Sequence, residues 1–328
     1  MKKFVFLLIA VLLVLSLAGC GCGNGDKDNN GDGNGNGNGD GNGTEATYWA
    51  AYRFGDTVQP SSGGSGKIKT FTINSKDTEN GKLREFNIEG TYLGKENAQI
   101  ATRKTTMVTS PSYSSTEENV TASLECYKVK HRVTVVKDET GGTHPAWAEI
   151  TCWIPAEDLE TSTVYFWLYP KAEYVDSDER QGGWSYYVTE AMQNAADNPP
   201  ANTTIYYTPA TTGDGDFYGY NDEVLYGLYG WGWIYFQAFA EGGGYKLEEA
   251  DVHTATWSYS CDKVDKTIGG YTFHAWDVEW SGTSGTGTGS WEAIFSADLP
   301  LPIYSKFAGS GEGSSSLFEY TLTDLELQ

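Results

Sequence analysis

The chain has 328 residues, with 44 acidic against 22 basic side chains and a formal net charge of -22. A surface this acidic repels phosphate backbones, so the composition excludes nucleic acid as a natural partner. Aromatic residues make up 14% of the chain, enough for a sizeable core, whereas its five cysteines are too few for a fold built on disulfides.

The first 19 residues have the order of an export signal. Lys2 and Lys3 precede an uncharged run that ends in Leu17-Ala18-Gly19-Cys20. A charged start, an apolar stretch and small residues define a secretory signal, and the stretch is shorter than the ~20 residues of a membrane-spanning helix. The small residues before Cys20 resemble the lipobox of prokaryotic lipoproteins. This resemblance implies cleavage before Cys20, lipid on its sulfur, and a protein held on the outer face of the cytoplasmic membrane or at the cell surface.

Residues 20–45 follow as a spacer of Gly, Asn and Asp. Such a segment has almost nothing to bury and much backbone entropy to lose, which predicts a flexible tether. Residues 46–328 are expected to form a single large β-rich domain. If that domain has two lobes, they would meet near the charged and polar stretch at residues 176–220.

Alternating apolar and polar residues predict antiparallel strands through most of this domain, each with one face towards the core. The expected core faces include Phe86 and Ile88, Val129 and Val133, and Phe318, Tyr320 and Leu322. The predicted strands are Lys67–Asn74, Leu83–Tyr92, Leu124–Val136, Ala146–Ile154, Thr163–Tyr169, Val252–Cys261, Tyr271–Trp280, Ser290–Ala297 and Leu317–Leu327. Ser110–Asn119 is polar and is expected to be a loop. Leu299–Ile303 contains two prolines and is expected to be an extended crossing.

Two segments favour helices. Trp184–Ala196 has helical composition and is followed by Asn198 and two prolines. Val224–Ala240 is long for one strand and apolar all round, which favours a buried helix; a pair of glycine-aromatic strands is the alternative. The sequence therefore predicts an α+β fold that is mostly β, with a large curved antiparallel sheet covered by one or two helices.

The cysteines beyond the signal raise a question of strand register. Pairing Cys126 directly with Cys152 allows a cross-strand disulfide. A shift by one residue instead opposes Lys130 to Glu149 and satisfies the hydrophobic pattern, but it leaves the two cysteines on opposite faces. Both registers stay open, and a β-bulge would reconcile them. Cys261 is expected to be buried and reduced among aromatic neighbours.

Besides the lipobox and the acidic tether, the C-terminal part of the chain contains three short sequence motifs. These begin at Trp291 (Trp-Glu-Ala), Asp298 (Asp-Leu-Pro-Leu-Pro-Ile) and Phe318 (Phe-Glu-Tyr-Thr-Leu). Together they are similar to archaeal surface lipoproteins of unassigned function. The strand–Leu-Pro–strand motif and the expected architecture are also similar to those of the LolA/LppX-like lipoprotein carriers. The second resemblance implies an apolar ligand held between the sheet and Val224–Ala240, and neither resemblance brings a functional residue with it.

Motifs for catalytic nucleophiles, phosphate loops and zinc proteases are absent. The best carboxylate pair is Asp277 and Glu279, two apart on a predicted strand, which would suit glycoside hydrolysis with Trp276 and Trp280 stacking on sugar rings. The alternative is two solvated acids on an outer face, with both tryptophans turned to the core. His131 lies on the apolar face of its strand and is expected to be a hydrogen-bonded core histidine.

Two further kinds of site follow from short patterns. Asp214, Asp216 and Asp222 surround glycines in a loop that would admit calcium, although they fit solvated turn residues as well. Asn119 and Asn202 begin Asn-x-Thr sequons, and sugar is expected on Asn119 or Asn202 in a glycosylating host, given export.

These features predict a non-enzymatic, lipid-anchored extracytoplasmic protein that binds a ligand or partner through its β-rich domain. The alternatives are a carrier of an apolar molecule and a carbohydrate-binding or glycoside-active module. The expected partners are the membrane, through the lipid anchor, and a small molecule or glycan. No cofactor is expected apart from calcium.

Overall fold

The computed structural model describes residues 47–50, 53–141, 145–156, 170–213, 244–247, 249–285, 287–311 and 314–328. This part of the chain contains fifteen strands and one short helix, which confirms an α+β fold that is mostly β. The elements are β1 (Thr47–Ala50), β2 (Ile68–Glu79), β3 (Lys82–Val108), β4 (Ser114–Asp138), β5 (Trp147–Pro155), β6 (Lys171–Asp176), β7 (Gln181–Ser185), α1 (Glu190–Asp197), β8 (Thr203–Gly213), β9 (Gly244–Leu247), β10 (Ala250–His253), β11 (Trp257–Ile268), β12 (Tyr271–Ser284), β13 (Gly287–Phe295), β14 (Tyr304–Gly311) and β15 (Ser314–Leu327).

Several predicted features lie outside the described residues. They are the signal sequence, Cys20 and the tether, the strand Thr163–Tyr169, the segment Val224–Ala240, and the loop acids Asp214, Asp216 and Asp222.

Thirteen of the described strands form one antiparallel sheet in the order β10-β11-β12-β13-β14-β15-β2-β3-β4-β5-β6-β7-β8, while β1 and β9 pair separately. The last strand, β15, pairs with β2, so the two ends of the domain meet in the middle of the sheet. The far end of β3 also pairs with β8. Strands β3 to β8 therefore close into a ring, and the sheet curves back on itself.

A β-bulge in β3 divides the interior into two cores. Before it, Phe86 and Ile88 are 3% and 0% exposed and face the main core, as the alternation predicts. The register then shifts between Tyr92 and Gly94, and Gly94 has a φ of 113°. One extra residue inverts the alternation, so that residues beyond the bulge face the other side. There Ala98 and Ile100 of β3 form a smaller core together with Cys126 of β4 and Trp153 of β5.

The C-terminal strands follow their predicted pattern. Phe318, Tyr320 and Leu322 all lie in the main core. The proline-containing crossing between β13 and β14 is buried too, with Leu299 0% and Leu301 1% exposed.

The predicted elements were wrong at several places, and β1, β6, β7, β8, β9 and β14 lie outside every predicted strand. β4 begins at Ser114, inside the expected polar loop, because it pairs with a long extension of β3 and both strands are polar there. Trp184 lies in β7 and not in a helix; α1 begins at Glu190, where the Thr189 hydroxyl caps it by accepting from the Met192 backbone N–H. A turn at residues 254–256 divides the strand predicted at Val252–Cys261 into β10 and β11.

Cys126 and Cys152 do not form the disulfide that the sequence left open, and neither of the two registers considered for these strands occurs. Cys152 opposes Val129, whereas Cys126 opposes Pro155. Both thiols are free and lie on opposite faces of the sheet. This register packs the apolar faces of β4 and β5 together, and it brings Arg132 Nη1 to 3.0 Å from Glu149 Oε1. Cys261 is 0% exposed and reduced, as predicted.

Candidate functional site

The sheet segment from β11 to β15 has one apolar face and one polar face. Tyr259, Trp280, Trp291 and Phe307 form one cross-strand row that packs into or against the main core. The neighbouring row points to the other side because side chains alternate along a strand. That row consists of Ser258, Ser281, Ser290 and Ala308. We call this side of the segment the polar face.

An open groove of about 680 Å³ lies on the polar face at one end of these strands. Many of its lining side chains carry hydroxyl groups, so we call it the hydroxyl groove. These side chains are Thr78, Thr254, Thr256, Ser258, Ser281, Thr283, Thr288, Ser290, Ser310 and Ser315. Two cross-strand pairs, Ser258–Ser281 and Thr288–Ser310, are hydrogen-bonded at Oγ–Oγ and Oγ1–Oγ distances of 2.7 Å.

Glycines leave three positions of the sheet without side chains beneath this groove. Gly282, Gly289 and Gly309 pair in register across β12, β13 and β14. On the core side, the Trp280 indole lies against the first of them, since a Cβ built at Gly282 would approach Trp280 Cζ2 to 2.8 Å. The missing side chain therefore lets the indole lie close to the sheet and support the groove from behind.

Three carboxylates lie on the polar face beside the hydroxyl groove. Asp277 and Glu279 are two residues apart on β12, and Glu292 on β13 is directly opposite Glu279. One carboxylate oxygen from each lies within 4.8 Å of the others. We call these three residues the carboxylate cluster. The structure thus brings Asp277 and Glu279, the pair suggested by the sequence, together with Glu292, which no sequence pattern indicates because only the β12–β13 register places it there.

Burial and mutual repulsion disfavour full ionisation of the carboxylate cluster. Burial raises the pKa of Asp277 above its ordinary value, and the charges of Glu279 and Asp262 raise it further, while Lys266 opposes them. Burial also raises the pKa of Glu292. The charges of Asp277 and Glu279 raise it further, whereas Lys306 and Lys266 lower it. Asp277 Oδ1 is buried and accepts no hydrogen bond from the described residues.

The carboxylate cluster affects the neighbouring phenol of Tyr304. Burial, followed by the charges of Glu292, Glu319 and Asp277, raises the pKa of Tyr304 to about 12. The cluster offers oxygen ligands alone, a donor set that suits a hard divalent cation such as calcium and not zinc.

Of the two interpretations of Trp276 and Trp280, the structure contradicts the one in which they stack on sugar rings beside these acids. Trp276 is 9% exposed and belongs to the main core, and Trp280 packs against that core. Both therefore lie on the side of β12 opposite to Asp277 and Glu279, because adjacent residues of a strand point to opposite faces. The alternative interpretation placed the tryptophans correctly.

The remaining sequence-predicted positions are separate from this site. His131 is 0% exposed and touches the Phe71 ring, and its burial lowers its pKa to about 3 despite a hydrogen bond that involves the Ile150 backbone, so it is a core histidine as predicted. Asn119 and Asn202 are both exposed, on β4 and in the turn before β8. Their glycosylation stays a prediction.

No known protein family, curated protein or solved structure matches this chain. The described part of the chain contains no helix with the length and apolar character needed to cross a bilayer.

Proposed function

We propose that this chain is a lipid-anchored extracytoplasmic protein that binds a glycan in the hydroxyl groove without cleaving it. The observation that carries this proposal is the groove itself: a concave surface lined by serine and threonine hydroxyls, on a sheet whose other face is core.

The chemistry of the lining suits a polyhydroxylated ligand. A serine or threonine hydroxyl donates one hydrogen bond and accepts others, and it rotates to match its partner, as sugar hydroxyls do. The Ser258–Ser281 and Thr288–Ser310 hydroxyl pairs show that these side chains already hydrogen-bond to one another at ideal distances. A volume of about 680 Å³ lies within the usual range for small-ligand sites, roughly 300–1,000 Å³.

The N-terminal sequence supports the proposed location. The resemblance of Leu17–Cys20 to a lipobox supports export and lipid attachment at Cys20. The Gly/Asn/Asp segment at residues 20–45 would link the lipid to the domain, whose groove would then meet glycans of the surroundings.

The groove combines hydroxyl groups with an apolar lining, a mixture that suits the hydroxyls and ring faces of a sugar better than the wholly apolar ligand of a lipoprotein carrier. The groove presents hydroxyls and glycine backbone, with Trp257, Leu317, Ala255 and Ala308 as its apolar lining. The carrier alternative depends on Val224–Ala240, which lies outside the described residues.

The test is binding of the full-length chain, purified in detergent, to a panel of oligosaccharides, followed by isothermal titration calorimetry on those that bind. Ser290 is exposed near the middle of the groove, so Ser290→Trp should fill it and weaken binding at least tenfold. Ser123→Trp, the same change at an exposed position of β4, is the matched control and should bind normally.

Mass spectrometry of each bound oligosaccharide after long incubation separates binding from hydrolysis. Intact sugar supports the non-enzymatic proposal, whereas cleavage that Asp277→Asn abolishes would assign the carboxylates to catalysis. Failure of every oligosaccharide to bind, or equal binding by Ser290→Trp, would refute glycan binding in this groove.

A further inference from the structure

We infer that the hydroxyl groove selects glycans bearing a free ammonium group, that is, sugars with an unacetylated amine, over neutral and acidic glycans. This inference rests on the proposed function, because it assigns the charge of the ligand that the groove would take.

The groove and the carboxylate cluster are adjacent on the same face. Ser281 lines the groove and Glu279 follows it on β12 in the direction of the cluster, two residues away, which is about 7 Å along a strand. Ser290 and Glu292 repeat this spacing on β13. A ligand ring on the hydroxyls of Ser281 and Ser290 would therefore place a substituent within reach of both glutamates.

The side chains where the groove meets the carboxylate cluster, which we call the carboxylate border, carry more negative than positive charge. In the row of Glu279 and Glu292, Lys306 opposes Glu292 on β14, and the next pair, Glu319 and Lys76, forms its own ion pair at 3.9 Å. In the following row Asp262 directly opposes Asp277, with Lys266 nearby on β11. Lys306 and Lys266 thus face four carboxylates: Asp262, Asp277, Glu279 and Glu292.

The accessible member of the cluster is Glu279, which is exposed, whereas Asp277 and Glu292 are partly buried. A sugar ammonium donates up to three hydrogen bonds, and bonds from an ammonium to a carboxylate are shorter and roughly twice as strong as neutral ones. A uronate would bring another negative charge to the same border. The hydroxyl lining would bind the sugar ring, and the carboxylate border would discriminate by charge.

The experiment measures calorimetric affinities of the full-length chain for three tetrasaccharides at a pH where the amines are protonated. Two share a β-1,4-glucosamine backbone, one with free amines and one N-acetylated, and the third is a tetragalacturonate. We expect the free-amine sugar to bind about tenfold more tightly than its acetylated counterpart. This preference should shrink when salt is raised from roughly 0.05 M to 0.5 M.

Glu279→Gln removes one charge with little change of shape and should abolish most of this preference. Glu117→Gln makes the same change at an exposed position of β4 and should leave it intact. Equal binding of the free-amine and acetylated sugars, or a preference that survives in Glu279→Gln, would overturn the inference while leaving glycan binding in place. Absence of binding by all three sugars and by the wider panel would overturn both.

Discussion

Glu279 and Glu292 lie directly opposite each other across β12 and β13, so that two like charges form one cross-strand pair on the polar face. Like charges in this position destabilise a sheet. The Glu279–Glu292 pair is therefore expected to lower the stability of the folded protein. It lies beside the hydroxyl groove, on which both proposals rest. Its electrostatic consequences can be measured without knowing the ligand.

Glu279→Gln should lower the pKa of both Asp277 and Glu292, because the Glu279 charge contributes to raising each of them. Burial would still hold both pKa values above their ordinary range. Titration of the side-chain carboxyl carbons by nuclear magnetic resonance gives the two values directly. Glu117→Gln, on an exposed part of β4, should change neither of them. Unchanged titration of Asp277 in Glu279→Gln would contradict the close approach of the carboxylates.

Asp277→Asn should stabilise the protein at neutral pH, by about 0.5 kcal/mol on the scale of like-charge pairs in sheets. Folding raises the pKa of Asp277, so ionisation of this carboxyl destabilises the folded state at high pH. At a pH where Asp277 is protonated in both the folded and the unfolded state, it has no such effect. The advantage of the variant should therefore disappear as the pH falls below the ordinary aspartate pKa of about 4. Urea unfolding at a series of pH values measures this difference; an advantage that grows on acidification would reverse the predicted sign.

Cys126 and Cys152 should both remain thiols when the folded protein is exposed to an oxidant. They lie on opposite faces of the sheet, and burial raises the pKa of Cys126 to about 12 and that of Cys152 further. Since the thiolate is the reactive form, both should resist a thiol reagent until the chain unfolds. Mass spectrometry after alkylation in denaturant, without reductant, should find both cysteines alkylated. A peptide linking Cys126 to Cys152 would show that the strand register is different.

Gly282→Ala should destabilise the protein by about 1–3 kcal/mol, because the new methyl group would overlap the Trp280 indole. Gly289→Ala is the matched control: its methyl group would lie 3.5 Å from the same indole, an ordinary contact. Loss of chain entropy in the unfolded state should make this second change neutral or slightly stabilising. Chemical denaturation gives both free energies of unfolding, and equal losses for the two variants would contradict the position of Trp280.

Cys20→Ser should release the protein from the membrane or leave it unprocessed, as expected if the Cys20 sulfur carries the lipid. Cys22→Ser, two residues further along, should do neither. Membrane fractionation and the mass of the mature N-terminus report the two effects. Normal processing and membrane partitioning of Cys20→Ser would exclude the lipid anchor.

The sequence by itself determined the class of the fold and the membership of its main core. Alternation with a period of two is a local property, and it correctly placed Phe86 and Ile88, Val129 and Val133, and Phe318 and Tyr320 in the interior. Burial of one sheet face is sufficient to impose that pattern, whatever the partner strand is. The buried, reduced Cys261 and the core histidine follow from the same argument.

Only the tertiary structure decided which residues meet across strands. The bulge at Gly94 redirects half of β3 into a second core, and the β4–β5 register separates Cys126 from Cys152. The β12–β13 register likewise brings Glu292 to the carboxylates of Asp277 and Glu279. The register of a strand pair depends on how two strands pack, and these strands are either distant in sequence or joined by a turn whose length the sequence does not define. Several registers satisfy one alternating pattern equally well. The carboxylate cluster and the hydroxyl groove are products of that pairing.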